Sequence, residues 1–211
     1  MARHADWYFD FISPFAYLQF KHFHQLPGDL TVTLHPVLFA GLLNQWEHKG
    51  PAEIPAKRVQ TYQYSHWHAH KLGVPFRTPP AHPFNPLGIL RLAIALDATP
   101  EAVGTIFDYV WGEGGDVTTE SGFANLAKRL DVSDTAALIS APEVKTRLRE
   151  NTEQAISAGV YGVPTFSIDG RLFWGFDATP MMLEFLDDPE LFTNEEMDRL
   201  ANLPTAAVRP G

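Results

Sequence analysis

The succession of apolar and polar positions divides the chain into a strand-rich start, a long helical middle and a strand-rich end. Residues 6–12 gather the aromatics Trp7, Tyr8, Phe9 and Phe11, the dense apolar run of a buried strand. Over residues 14–26 the spacing changes, with Phe15, Leu18, Phe23 and Leu26 recurring at helix-like intervals. Pro14 suits the first turn of that helix, where a missing N–H is not needed. Pro27-Gly28-Asp29 predicts a turn and residues 30–36 a second strand. The opening is therefore a strand–helix–strand unit with parallel strands.

From about residue 40 to 157 the pattern is helical. Residues 59–72 predict one helix, closed by Gly73-Val74-Pro75. Asn85-Pro86-Leu87 opens a second that runs to Leu96, and Pro100 starts a third through Phe107 and Trp111. Residues 120–130 and 133–139 supply shorter helices, and Pro142 opens a last one that ends near Gly159. A proline-rich connector over residues 75–86 is ordered by fixed φ angles and packing rather than by regular hydrogen bonds. After Pro164 the strand pattern returns over residues 165–169. Asp169-Gly170 is a hairpin turn, with residues 171–174 as the partner strand. A helix over 180–186 and an acidic tail follow. This order predicts an α/β chain, a thioredoxin-like fold with a large all-helical insertion. Residues 1–39 and 158–211 are expected to form the thioredoxin-like domain and residues 40–157 the insertion.

Composition narrows the function. With 211 residues, 45% hydrophobic and 19% charged, the chain is long enough for one sizeable core and has the balance of a globular protein. A net charge of -9 with no basic run argues against nucleic-acid binding. No stretch approaches the roughly 18 apolar residues of a membrane span, and the N-terminus lacks the pattern of a secretory signal, so a cytoplasmic location is expected. Cysteine is absent, which excludes disulfides, a cysteine nucleophile and thiolate metal ligands.

Two segments carry the candidate chemistry. Ser13 lies where a strand ends and a helix begins, so free backbone N–H groups and the helix dipole face it and stabilise an anion. Its hydroxyl could hold a thiolate, or simply cap the helix. Val163-Pro164-Thr165 leads from a loop into a strand. A cis bond before Pro164 would turn the Val163 backbone toward a ligand that pairs as an added strand. A thioredoxin-type thiol site brings two such segments together. Without cysteine, the sulfur must come from a bound thiol cofactor. Asp177, with Phe176 before the last helix, could hold a ligand amino group or cap that helix. Asn85 could project into a cleft or serve as an N-cap. Lys57 and Arg58 are candidate anion ligands or solvated charges. His66 and His70 share a helix face near His68, but a third metal ligand at matching spacing is missing, so no metal is expected.

These residues are familiar in combination. Residues 11–17, 50–58, 162–166 and 173–177 resemble the 2-hydroxychromene-2-carboxylate isomerase family, close to the kappa-class glutathione transferases within the DsbA-like thioredoxin superfamily. The resemblance covers about residues 6 to 186. It implies glutathione as cofactor and Ser13 as the catalytic residue, with Pro14 and Phe15 beside the sulfur. It implies backbone pairing of Val163, before Pro164, with the cysteinyl part of glutathione. Phe176 and Asp177 match the family's Ser/Asn-Asp pair at the γ-glutamyl end, although Phe176 can offer only its backbone. His48 stands where the family often has an asparagine that contacts glutathione. Phe84, Asn85 and Trp174, with Phe15, are expected around a small aromatic-derived substrate. The implied reaction is a glutathione-dependent isomerisation. A kappa-like transferase or peroxidase, or a non-catalytic glutathione-binding module, would use the same site. Kappa-like relatives are often dimers, so the resemblance admits a homodimer.

Overall fold

The computed structural model describes residues 3–207. Met1 and Ala2, part of the N-terminal run read above, and residues 208–211 lie outside that range. A four-stranded sheet runs in the order β2–β1–β3–β4, with β1 (Arg3–Phe9), β2 (Leu30–Pro36), β3 (Thr165–Ile168) and β4 (Arg171–Trp174). The first two strands pair in parallel, Trp7 opposite Leu34, as the strand–helix–strand reading requires. On the other side β1 pairs antiparallel with β3, Trp7 opposite Phe166, and β3 closes its hairpin with β4 through Asp169-Gly170. Both residues of that turn have positive φ, the backbone that an Asp-Gly turn selects.

Helix α1 (Pro14–Lys21) follows β1 after a short turn. The expected strand over 6–12 instead stops at Phe9. Asp10 bends the chain by accepting the Ile12 N–H through its side chain at 3.0 Å. The helix expected to reach residue 26 ends at Lys21, and a 3-10 turn at Phe23–Gln25 takes over. Helices α2 (Phe39–Gln45), α3 (Pro55–Leu72), α4 (Leu87–Ala95), α5 (Pro100–Phe107), α6 (Glu120–Arg129), α7 (Thr135–Ser140) and α8 (Pro142–Ser157) fill the middle. After α5 the chain widens into a π-helical turn, Asp108–Gly112, which carries Trp111. Helix α9 (Thr179–Asp187) covers the end of the sheet, and α10 (Glu195–Ala201) lies in the acidic tail, for which the pattern predicts no helix.

The core is an aromatic stack that ties β1 to the helices. Trp7 stacks on Phe9 at 4.5 Å between centroids, and Phe9 and Phe11 both pack on Phe107. All four are fully buried, each worth about 1.5–3 kcal/mol of apolar transfer. Gln19 is the polar pin within this stack. Its carbonyl accepts the Trp7 indole N–H at 2.6 Å, and its amide donates to the Gly175 carbonyl and the Thr179 hydroxyl. Through it α1 fixes the start of α9, and with it the position of Phe176 and Asp177.

Candidate functional site

Ser13 caps α1 in extended backbone, its hydroxyl oxygen accepting the Ala16 N–H at 3.2 Å. The same hydroxyl donates toward the Val163 carbonyl at 3.5 Å. The Val163–Pro164 peptide is cis, and Val163 and Pro164 are buried. The serine turn and the proline loop therefore meet, and Ser13 is only 8% exposed. The cap reading and the anion reading of Ser13 share these donors and coexist.

The backbone around Ser13 is unevenly used. Pro14 has no N–H, and the Ala16 and Tyr17 N–H groups return to Ser13 itself. Among the described residues no hydrogen bond takes the Phe15 N–H or the Val163 N–H. The carbonyls on the opposite side of the turn are occupied. The Trp111 indole donates to the Phe11 carbonyl at 2.8 Å, and His82 Nε2 donates to the Ile12 carbonyl at 2.8 Å. A carbonyl only accepts, so the His82 proton sits on Nε2. The Tyr62 hydroxyl lies 2.8 Å from His82 Nδ1 and from the His82 carbonyl, with one proton to give between them. Burial lowers the His82 pKa, the bond to Ile12 opposing only in part. The helical middle thus grips the acceptor side of the turn and leaves the donor side, Phe15 N–H and Ser13 O–H, facing the proline loop.

Trp111, His82, Tyr62 and Asp10 were not singled out from the sequence. Asp10 had a legible sign, being the one acid inside the aromatic run from Trp7 to Phe15. His82 sits in the proline-rich connector, before a second cis peptide at Pro83, and nothing local points it at Ile12.

Other expected site residues fall into distinct places. Phe15 is half-buried and packs toward Tyr64 at 5.9 Å. Trp174 is 52% exposed and lies over Gly162, with Tyr161 edge-on at 5.1 Å. A Cβ on Gly162 would stand 2.3 Å from Trp174 Nε1, so only glycine lets the indole cover the proline loop. Phe84 is buried beside His82, and the Asn85 side chain accepts the Leu87 N–H at 3.0 Å, the cap-like role. Among the described residues no ring contact joins Phe15, Phe84 and Trp174 to one another. Each ring has a different aromatic partner, because they sit on α1, the connector and β4 respectively.

Phe176 and Asp177 form a 3-10 turn at the start of α9. The preceding Gly175 has φ 94°, and a Cβ there would meet Asp177 Oδ1 at 2.5 Å, so glycine is required. The edge of His68 meets the Phe176 ring at 5.4 Å, and His68 Nε2 is buried without a hydrogen-bond partner. Burial pushes the His68 pKa down, with nearby Asp177 opposing. His48 is exposed on the loop after α2, its N–H closing on the Leu43 carbonyl, and no described side-chain bond links it to Ser13. Lys57 and Arg58 are exposed on the first turn of α3, and His66 and His70 are exposed further along it. Among the described residues no three metal-ligating side chains converge.

A family profile described as a DSBA-like thioredoxin domain matches residues 5–187. The chain belongs to the DsbA-like thioredoxin family. Within it, this DsbA-like chain is 30% identical to a 2-hydroxychromene-2-carboxylate isomerase of Pseudomonas putida, over 84% of this chain and 91% of the relative. That match shows the family named from its motifs. It is also 28% identical to glutathione S-transferase kappa 2 of Caenorhabditis elegans, over 88% and 92% of the two chains. A solved 2-hydroxychromene-2-carboxylate isomerase superposes with a TM-score of 0.76 over 92% of this chain and 98% of that one, at 24% identity. The superposition establishes the fold, a thioredoxin fold with a helical insertion. This DsbA-like chain carries serine at its helix turn and no cysteine anywhere, so it forms no disulfide of its own.

Proposed function

We propose that the chain is a glutathione-dependent isomerase of the 2-hydroxychromene-2-carboxylate type, with Ser13 as its catalytic residue. The observation that carries the reading is the serine turn against the cis-proline loop, with the Phe15 and Val163 N–H groups unused beside it. Those groups fit the cofactor that the relatives' names suggest. Ser13 O–H and Phe15 N–H are two donors at a helix N-terminus, suited to one thiolate. The Val163 N–H and C=O suit the backbone of a cysteinyl residue laid along the loop. Asp177 suits an α-amino group at the γ-glutamyl end, while Phe176 contributes only backbone.

Bound glutathione supplies a nucleophilic sulfur for reversible addition to a conjugated, aromatic-derived substrate. The chain's own task is to keep that sulfur ionised and aimed. Reorienting the Ser13 hydroxyl from the Val163 carbonyl to the sulfur would leave the carbonyl free to pair with the ligand. Pro14 cannot compete for the anion as a donor, and Trp174 covers the loop from the solvent side. In this reading residues 1–39 and 158–211 hold the cofactor, and residues 40–157 brace the turn and cover the substrate, with Phe84 and Asn85 on the substrate side. His48 would reach glutathione only if the loop after α2 folds toward the site.

The test is turnover of a hydroxychromene carboxylate with and without added glutathione, beside a generic electrophile and a peroxide. Isomerisation that requires glutathione supports the proposal. Conjugation or peroxide reduction without isomerisation moves the chain to kappa-type chemistry. Isomerisation at the same rate after glutathione is stripped would sink the cofactor role.

A further inference from the structure

Among the described residues Asp10 is the one carboxylate with no exposure, and it lies at the start of the turn that carries Ser13. Both of its oxygens are engaged by backbone donors. Oδ1 accepts the Ile12 N–H at 3.0 Å, inside the turn, and Oδ2 accepts the Phe39 N–H at 2.9 Å, at the start of α2. One buried side chain therefore ties the serine turn to the segment that leaves β2. The Ser13 N–H adds a third tie, to the Asp10 backbone carbonyl at 3.1 Å.

We propose that ionised Asp10 is the positioning residue of the Ser13 turn, and that a proton on Asp10 releases the turn. The chemistry of the partners decides this. Two N–H donors engage the carboxylate at both of its oxygens, one to each. A protonated carboxyl keeps one good acceptor, and its O–H would face a donor rather than an acceptor. The bond from Ile12 or from Phe39, whichever meets the protonated oxygen, is then weakened at a carboxyl that is itself fully buried.

Among the described residues no charged side chain offsets the proton. The Asp10 carboxyl is raised to about 7 by burial, the two N–H bonds opposing, and charged neighbours are not among the causes. On β1 and β2, Asp6 is bonded to His4 and His35, with Tyr8 stacked on His35. Helix α2 has no charged residue, and the acids and bases of α8 are exposed. On the turn itself the titratable group is His82, whose Nε2 donates to the Ile12 carbonyl and whose pKa burial lowers, so that it titrates in the opposite sense to Asp10. Asp10 is thus free to titrate near neutrality, and the turn with it. Ser13 can present its hydroxyl to a sulfur only while the turn is held, so the consequence for activity rests on the function proposed above. The titration does not.

The experiment is a pH titration from 5 to 9 of the protein without ligand, followed by NMR of the Asp10 carboxyl carbon and the Ile12 and Phe39 amides. All three are expected to move with one midpoint near the same pH, and the two amides to stop moving in Asp10→Asn. Calorimetric glutathione affinity is expected to fall by up to about tenfold per pH unit below the midpoint in the wild type, a limb missing from Asp10→Asn. The thiol's own titration is common to both proteins and cancels. Flat Ile12 and Phe39 amides overturn the inference, and if Asp10→Asn does not fold the wild-type titration still decides it. A protein whose amides titrate together but which binds no glutathione upholds the Asp10 role and overturns the proposed function instead.

Discussion

The Ser13 hydroxyl faces the Val163 carbonyl at 3.5 Å, across 150 positions of sequence. Neither group has a stronger partner in that direction, so an incoming sulfur would displace a weak bond rather than a strong one. Around this pair the helical middle holds the acceptor side of the turn and leaves the donor side open.

Ser13→Ala removes both the cap and the sulfur-facing donor. The cap is worth about 1 kcal/mol, to be read as a lower urea midpoint. A hydrogen bond to a charged group is worth about 1.5–3 kcal/mol, so turnover should fall by roughly ten- to a hundredfold. Turnover equal to wild type would remove Ser13 from the reaction.

Ser13→Cys creates the only thiol in the chain, at a helix N-terminus beside the unused Phe15 N–H. Its pKa should drop below the ordinary value of about 8.5. The rate of alkylation against pH measures this directly. A pKa at or above the ordinary value would mean that the turn does not favour an anion.

Gly162→Ala drives a methyl group into the Trp174 indole. Trp174 is half exposed and can swing out, so the expected stability loss is about 1 kcal/mol rather than an unfolded chain. Trp174 fluorescence should shift to longer wavelength. Adding Trp174→Ala should cancel most of the Gly162→Ala penalty in a double-mutant cycle.

Trp111→Phe keeps the ring packing and removes the donor to the Phe11 carbonyl. A buried acceptor left without a partner costs about 1–3 kcal/mol, visible in denaturant unfolding. Unchanged stability would show that Trp111 acts through packing alone.

Stability against pH should bear the mark of Asp10. Its folded pKa is raised above that of the unfolded chain, so its contribution is present below about pH 4 and is lost as pH rises through about 7. The size is on the order of 4 kcal/mol. His82 works in the opposite sense, because its folded pKa is lowered, and its contribution is lost as pH falls below the ordinary histidine value. Denaturation midpoints of Asp10→Asn and His82→Gln against pH separate the two slopes.

Much of the fold is legible in local pattern, because aromatic runs, proline starts and the Asp-Gly turn each act on their own neighbours. The hairpin of β3 and β4 and the helices opened by Pro100 and Pro142 appear where those residues predict them. Element ends are less legible. The first strand was expected to run to residue 12 because Phe11 and Ile12 continue its apolar run. The Asp10 side chain captures the Ile12 N–H and ends the strand at Phe9. The π-helical turn at Asp108–Gly112 follows from no sequence period.

Fold class, serine cap, proline loop and the lack of a protein thiol are each written in adjacent residues and need no long-range contact to be seen. Tertiary structure decided what surrounds Ser13. Trp111 reaches the Phe11 carbonyl from 100 positions away and His82 the Ile12 carbonyl from 70. Such bonds depend on how the helical middle packs against the sheet, and no local spacing encodes that packing. The buried state of Asp10 was settled in the same way. An acid in an aromatic run is visible in sequence and its bond to the Ile12 N–H is local, but its second partner, the Phe39 N–H, arrives only once β1 and the start of α2 lie side by side.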